Sequence, residues 1–440
     1  MNSSNIMDVV RIVQSMNQTA AAWGKIPRNE QREKLKRLVP AFTQALKEGA
    51  TELEQLAAVE IGMPVARFRE RALPVALGIL SQSEAFLERE LGGRSVPSAG
   101  HSVVFLGWSD PLVSFCRRVP LIIASGNAVC VKASSKAPRF YQRLSQVFEK
   151  ALQDADLPVG FYSMLFGDHQ LGLDLLQHPG LKTIFWIGKT DAALAAQAVA
   201  FEYGKRFHYS GSGRGPAILF QGFSDEKFDE IVTACADMIT DPHGVGPYRP
   251  SRFFVQESIY KPFLELLAMK LEATRRGDPL DPTTRLGPLP KEESSRFDMQ
   301  LKLALSETGK LVSGGALEGE FARPTLVRDL TNCSTLQGEE LAGPWVTSAS
   351  FKYGFEALKY ANTSPLGLAG YIFHPDLEKA VATAEKLECS RIFFHHRPNW
   401  IEALSSSVAA VKTSGNNADG IEAIFRYGQW SSRWFDREPS

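Results

Sequence analysis

Over the first ninety or so residues, apolar positions recur at three- and four-residue spacing, as in "EKLKRLVPAFTQALKEGATELEQLAAVEIG". This spacing predicts helices over 8–90. Gly62, Met63 and Pro64 close one of these runs, as a Gly–Pro exit should. From residue 102 the texture changes to shorter alternating stretches. "SVVFLGW" predicts a strand, 111–125 a helix, "AVCVKAS" a strand and 139–153 a helix. "YSMLFG", "LGLDLLQH" and "TIFWIG" continue the series as strand, helix and strand. Regular strand–helix alternation is the pattern of a parallel, doubly wound sheet. After the strand-like "RFHYSGSGRGPAILF" comes a helix near 225–240, then a linker around 238–250. A second alternating section runs from "SRFFVQESIY" to "RIFFHH" near 396. The tail "IFRYGQWSSRWF" alternates aromatic and polar residues, as a strand docked on a second copy would, so a homodimer is a compatible assembly.

Composition narrows the class without choosing a chemistry. The 440 residues are enough for two or three domains, and 44% hydrophobic with 22% charged residues is ordinary for a globular chain. Lys+Arg and Asp+Glu both number 49, so net charge points to neither nucleic acid nor an anionic membrane. Cys116, Cys130, Cys235, Cys333 and Cys389 form no CxxC pair. Their odd, dispersed set argues against a disulfide framework or zinc site and fits a reducing cytoplasm. The N-terminal stretch lacks the pattern of a signal peptide. "VPLIIASGNAVCVKA" is interrupted by Ser125, Gly126 and Asn127, too early to span a bilayer.

Five segments carry the chemistry. No GxGxxG follows the first strand. Instead "GWSDPLVSFCRRVPLIIASGNAVCVKASSKAP" resembles a segment that in the aldehyde dehydrogenase superfamily usually reads PWNFP…AGNxVVxKPSExTP. "FWIGKTDAA" resembles its GSTxxG helix start, and "SGSGRGPAILF" its ELGGKxPxIVF. "SRFFVQESIYKPF" is similar to the strand after its cysteine loop, and the stretch from "EELAGPW" to "RIFF" to its EEIFGPV region. The order and spacing of all five hold from about residue 20 to 415. The resemblance implies an α/β, aldehyde dehydrogenase-like fold of two Rossmann-like domains with a helical N-terminus and a short bridging, oligomerising element. Its divisions would be 1–238, helices plus the NAD(P)-binding domain with a bridging segment at about 91–104; 239–410, the catalytic-type domain; and 411–440, a bridging tail. The family's long strand pair is shortened here to "LGGRSVPSAGH", which weakens the expected oligomerisation surface.

The family's reaction uses a cysteine thiolate, an amide that helps hold the oxyanion, and a glutamate base. In this chain those three slots fall on Pro247, Ser109 and Ser210. Proline offers neither a nucleophile nor an N–H. Cofactor positions are kept in part. Lys132, Gly188, Thr190 and Glu340 match family contacts to an NAD or NADP molecule, and Pro344 keeps its place. Ser135 replaces the carboxylate that usually holds the adenosine ribose, which makes NADP at least as suitable as NAD. Ala193 and Ala342 replace further contacts, so weaker binding than in a typical member is expected.

Other residues carry plainer readings. Lys132 alone also reads as a solvated surface lysine, His243 as a base in the active loop or an exposed loop histidine, and Cys235 as a small buried hydrophobe. His395 and His396 end a strand without partners at metal spacing. Tyr248, beside the lost nucleophile, would need a depressed pKa, and no lysine stands near it in sequence. By resemblance the chain is an NAD(P)-dependent oxidoreductase for an aldehyde, semialdehyde or other small metabolite. By residue chemistry it is a degenerate member with the thiol route closed, keeping a nucleotide or metabolite pocket or a role as a structural partner. The alternative is an active enzyme with rearranged, non-thiol chemistry.

Overall fold

The computed structural model describes residues 3–91, 100–395, 398–406, 409–416 and 420. The N-terminal helices lie where the spacing puts them: Ser3–Trp23, Arg28–Ile61, and a run from Val65 to Leu91 interrupted by one π turn at Phe68–Ala72. The helix Arg28–Ile61 buries Leu38, Phe42, Leu46, Leu53 and Ala57 on one face and packs against the helix Pro138–Asp154. It stops at Gly62 for two reasons. Its φ of 71° is left-handed, and a Cβ there would lie 2.1 Å from the Pro288 carbonyl oxygen.

The first sheet contains β1 (His101–Leu106), β2 (Val129–Lys132), β3 (Tyr162–Leu165), β4 (Leu181–Ile187) and β5 (Arg206–Ser210). All are parallel, in the order β3-β2-β1-β4-β5. β1 is buried along its whole length, which its nearly unbroken apolar sequence requires of a central strand. The winding reverses between β1 and β4.

The second sheet contains β6 (Gly215–Leu219), β7 (Pro250–Gln256) and β8 (Lys310–Ser313). Beyond a short pair, β9 (Leu317–Glu318) and β10 (Phe321–Ala322), it adds β11 (Thr325–Arg328), β12 (Trp345–Phe351), β13 (Ala369–Phe373) and β14 (Arg391–Phe394). Its order is β14-β13-β6-β7-β12-β11-β8, parallel except for β8 against β11. The large core joins the N-terminal helices to the first sheet, and smaller cores surround Trp345 and Ile218.

Strand pairing divides the chain earlier than the 238 boundary that the sequence pattern suggests. The chain leaves the first sheet after Ser210 and enters the second at Gly215. The glycine-rich stretch 211–214 between them lies in neither strand, and the sequence alone does not show that the strands on its two sides join different sheets. Within the 91–104 segment, residues 101–104 belong to central β1 rather than to a bridging element, and 92–99 lie outside the described residues. Of the tail, Lys412 and Gly415 form bridges to Leu366 and Ser210. Residues 417–419 and 421–440 lie outside the described residues, as does His396.

Candidate functional site

A cavity of about 420 Å³ opens at the carboxyl ends of β1, β2, β4 and β5 and is closed on its far side by loops of the second sheet. Ligands of open α/β sheets bind at this place, where diverging crossovers leave a crevice. Each strand exit contributes one part of the wall. Trp108 and Ser109 follow β1, Lys132 and Ser134 to Lys136 end or follow β2, Gly188 and Lys189 follow β4, and Ser210 to Ser212 end or follow β5. Opposite them stand Pro247 and Tyr248 from the loop before β7, Glu293 and Arg296 from the helix Lys291–Ser306, and Glu340.

The loop 241–249 is fixed from both sides. Arg71 Nη1 lies 2.7 Å from Asp110 Oδ2, and its Nε lies 2.9 Å from Asp241 Oδ2. Burial works against the Arg71 charge, but the two carboxylates outweigh it and raise its pKa. His243 is wholly buried, which corrects its reading as an exposed loop residue. Its Nε2–H donates to the Ser109 carbonyl at 2.8 Å, and its ring meets the Trp108 edge at 5.4 Å. A backbone carbonyl only accepts, so the proton sits on Nε2, and burial lowers the ring's pKa. His243 thus ties the Ser109 turn to the Pro247 loop.

Tyr248 has the environment that its sequence neighbours could not supply. Burial would raise its pKa, yet Arg117, Arg391 and Arg118 outweigh burial and lower it, with a side-chain hydrogen bond from Arg117. The Arg391 guanidinium stands 5.8 Å from the ring centroid and donates to the Ala403 and Ser406 carbonyls. Two adjacent arginines in the apolar stretch "LVSFCRRVPLII" were the available signal for this cluster.

No cysteine lines the cavity among the described residues. Cys116, Cys130 and Cys235 are buried, and burial raises their pKa, for Cys130 to about 12. Cys389 is half-buried and raised to about 11 by burial, while Cys333 is exposed. Cys235 is thus the small buried hydrophobe that its helix suggests.

The residues expected to contact a dinucleotide meet less completely. Lys132, Ser135, Gly188 and Glu340 line the same cavity as Pro247, Ser109 and Ser210. Lys132 is half-buried rather than a freely solvated lysine, and burial lowers its pKa. Thr190 is turned elsewhere: its Oγ1 accepts from Ser212 N–H at 2.9 Å, and its own N–H donates to Ser212 Oγ at 3.3 Å. Ser212 Oγ also donates to Glu340 Oε2 at 3.0 Å. Desolvation raises the Glu340 pKa against the opposing effects of Ser212 and Arg296. Ala193 and Ala342 are buried and stand outside the cavity wall.

Sequence patterns gave no sign of the cations and carboxylate that complete this side. Glu293 Oε1 lies 3.3 Å from Lys189 Nζ and 3.4 Å from Lys136 Nζ, and its Oε2 lies 2.8 Å from Arg296 Nη1. Burial would raise the Glu293 pKa, but Arg296, Lys189 and Lys136 hold it below the usual value. Arg296 also donates to the Glu340 carbonyl at 2.6 Å. Among the described residues no group of three or more histidine, cysteine, aspartate or glutamate side chains could hold a metal, and no helix is long and apolar enough to cross a membrane.

Comparison with known proteins agrees with this architecture. The model of the Aldehyde dehydrogenase family matches residues 1–431. The chain is 28% identical over 425 residues to a succinate-semialdehyde dehydrogenase [NADP(+)] of Deinococcus radiodurans, covering 93% of this chain and 86% of that one. It is 24% identical over 392 residues to a lactaldehyde dehydrogenase of Methanococcus aeolicus, covering 86% and 82%. Among solved structures, a mutant aldehyde dehydrogenase C of Pseudomonas syringae, in complex with NAD+ and octanal, superposes with a TM-score of 0.88 at 22% identity, covering 96% and 88%. The aldehyde dehydrogenase KauB of Pseudomonas aeruginosa gives 0.86 at 24%, covering 96% and 87%.

Proposed function

The chain belongs to the aldehyde dehydrogenase family, and from that premise we propose that it binds an NAD(P)-type dinucleotide and a small aldehyde while the family's thiol reaction is closed. One observation carries this reading: Pro247 stands in the cavity wall, and among the described residues no cysteine does. A thioester route needs a thiolate within reach of the carbonyl carbon. The cysteines that burial holds protonated are elsewhere. Ser210 supplies no carboxylate base.

The residues present suit the dinucleotide. Lys132, Lys136, Lys189 and Arg296 line one side of the cavity, a cationic wall fitted to a diphosphate. Lys132 and Ser135 would take the adenosine ribose, Gly188 and Lys189 the diphosphate, and Glu340 the second ribose. When bound, the cofactor would supply a hydride donor or acceptor at its nicotinamide end. Weaker binding than in a typical member is supported by the Thr190 N–H and Oγ1, both already engaged with Ser212. Relatives named for succinate semialdehyde and lactaldehyde support an aldehyde ligand. A semialdehyde is the form we favour, because Arg117 and Ser114 lie in the wall that would meet its far end. The free cysteines are consistent with a cytoplasmic protein, and a homodimer remains the assembly proposed.

Tyr248 supports a second reading, an oxidoreductase without a thiol. Its arginine-lowered pKa would let the phenol hold or give a proton at a carbonyl oxygen bound against it. Two measurements separate the readings. Fluorescence titration with NADH and NADPH should give binding that Lys132→Ala weakens; an unchanged affinity would remove Lys132 from the site. An aldehyde panel, run in both oxidative and reductive directions, should show no turnover sensitive to iodoacetamide. Robust, iodoacetamide-sensitive oxidation would overturn the closed-thiol reading, and reduction lost in Tyr248→Phe would favour the second.

A further inference from the structure

The cationic side of the cavity already holds an anion, and it belongs to the chain. Glu293 is 3% exposed. Its Oε1 lies between two ammonium groups brought from different places: Lys136 from the turn after β2, at 3.4 Å, and Lys189 from the start of the helix Thr190–Glu202, at 3.3 Å. A phosphate oxygen bridging these lysines would need the same point in space. The other oxygen, Oε2, is kept by Arg296 on Glu293's own helix at 2.8 Å. Glu293 can therefore give up both lysines and still retain a cationic partner, which avoids leaving a buried carboxylate unpaired. Lys136 has a second, exposed partner in Glu292 at 2.7 Å and rests 5.3 Å from the Trp108 ring centroid, so it is positioned with or without Glu293.

We propose that Glu293 is a specificity-determining residue of the nucleotide site, a resident carboxylate that only a ligand bearing a diphosphate displaces effectively. The inference rests on the nucleotide reading above. The physical basis is an exchange of ion pairs. A ligand with one phosphate trades its own contacts for those that Glu293 already makes, and the net gain is small. A diphosphate brings further charge and several more acceptor oxygens, enough to reach Lys136 and Lys189 together with the Gly188 turn. Because Lys136 and Lys189 come from the first sheet and Glu293 from a helix of the second half of the chain, the same exchange separates two walls of the crevice.

Calorimetric titration of the full chain with ADP-ribose, AMP and adenosine tests the proposal at one fixed ionic strength. The wild type should bind ADP-ribose well above AMP. Glu293→Gln should raise AMP affinity about tenfold, equivalent to about 1.4 kcal/mol, and ADP-ribose affinity less, so that their ratio falls. Adenosine binding should not move. An unchanged ratio in a folded Glu293→Gln protein, or equal loss of both ligands, overturns the proposal while leaving the nucleotide reading standing. If neither protein binds ADP-ribose, the nucleotide reading fails and takes this inference with it. Should Glu293→Gln fail to fold, Lys136→Gln provides the same test from the other side of the pair. It should weaken ADP-ribose more than AMP, and equal weakening of both would overturn the proposal.

Discussion

A Cβ built on Gly213 would stand 1.8 Å from the carbonyl oxygen of Pro247. The crossing between the two sheets and the loop that bears Pro247 therefore touch through backbone alone. Flexible side chains can yield to a new methyl group, but a backbone carbonyl held by its own loop cannot. Gly213→Ala should cost about 1–3 kcal/mol, the usual range for overpacking, and should displace Pro247. Denaturant unfolding measures the cost, and an unchanged midpoint would show that the two segments are not in contact.

Thiol chemistry should report the positions of the cysteines. Iodoacetamide is expected to modify exposed Cys333 first and Cys389 slowly, with the buried Cys116, Cys130 and Cys235 protected until unfolding. None of this should alter the nucleotide binding proposed for the cavity. Pro247→Cys should add a readily labelled thiol, since residue 247 is half-buried and lines the cavity. With Ser210→Glu and Ser109→Asn added, acylation should be detectable before useful turnover, because errors near 1 Å cost about a hundredfold. A new thiol that resists small reagents in a folded protein would remove Pro247 from the cavity wall.

Tyr248 should ionise below the ordinary tyrosine range. Burial alone would raise its pKa, and the opposing shift from Arg117, Arg391 and Arg118 prevails. An absorbance titration of the phenolate should therefore show one early component, absent from Tyr248→Phe. Arg117→Met should move that component upward. A wild-type curve without it would refute the electrostatic reading of the arginine cluster.

Two glutamates in the same cavity should respond oppositely to pH. Desolvation raises the Glu340 pKa, so its contribution is fully present below the ordinary 4.5 and is lost as pH rises through the raised value. Glu340→Gln should therefore be more stable than wild type at neutral pH, with the difference vanishing in acid. Glu293 is depressed despite burial, because Arg296, Lys189 and Lys136 outweigh it. Its contribution is present above the ordinary 4.5 and is lost as pH falls through the lowered value. Glu293→Gln should be less stable than wild type at neutral pH and equal to it in acid. Melting curves across this range check both signs, and parallel curves for the two variants would contradict them.

The sequence by itself determined the helical N-terminus and the strand–helix alternation, because each is written in local spacing. Apolar recurrence fixes which face of Arg28–Ile61 is buried, and the motifs singled out Pro247, Ser109 and Ser210, which line one cavity. Tertiary structure alone decided where the chain changes sheets, since which strands β5 and β6 pair with is set by the packing of remote segments. It also decided the charges. Arg117 and Arg391 are 274 positions apart in the chain and meet at Tyr248, while Lys136, Lys189 and Glu293 converge from three separate elements. His243, polar and in a loop, became a buried strut because the Ser109 carbonyl offered it an acceptor. Electrostatic environments depend on distances through space, and those exist only once the crossovers have brought remote segments to the same crevice.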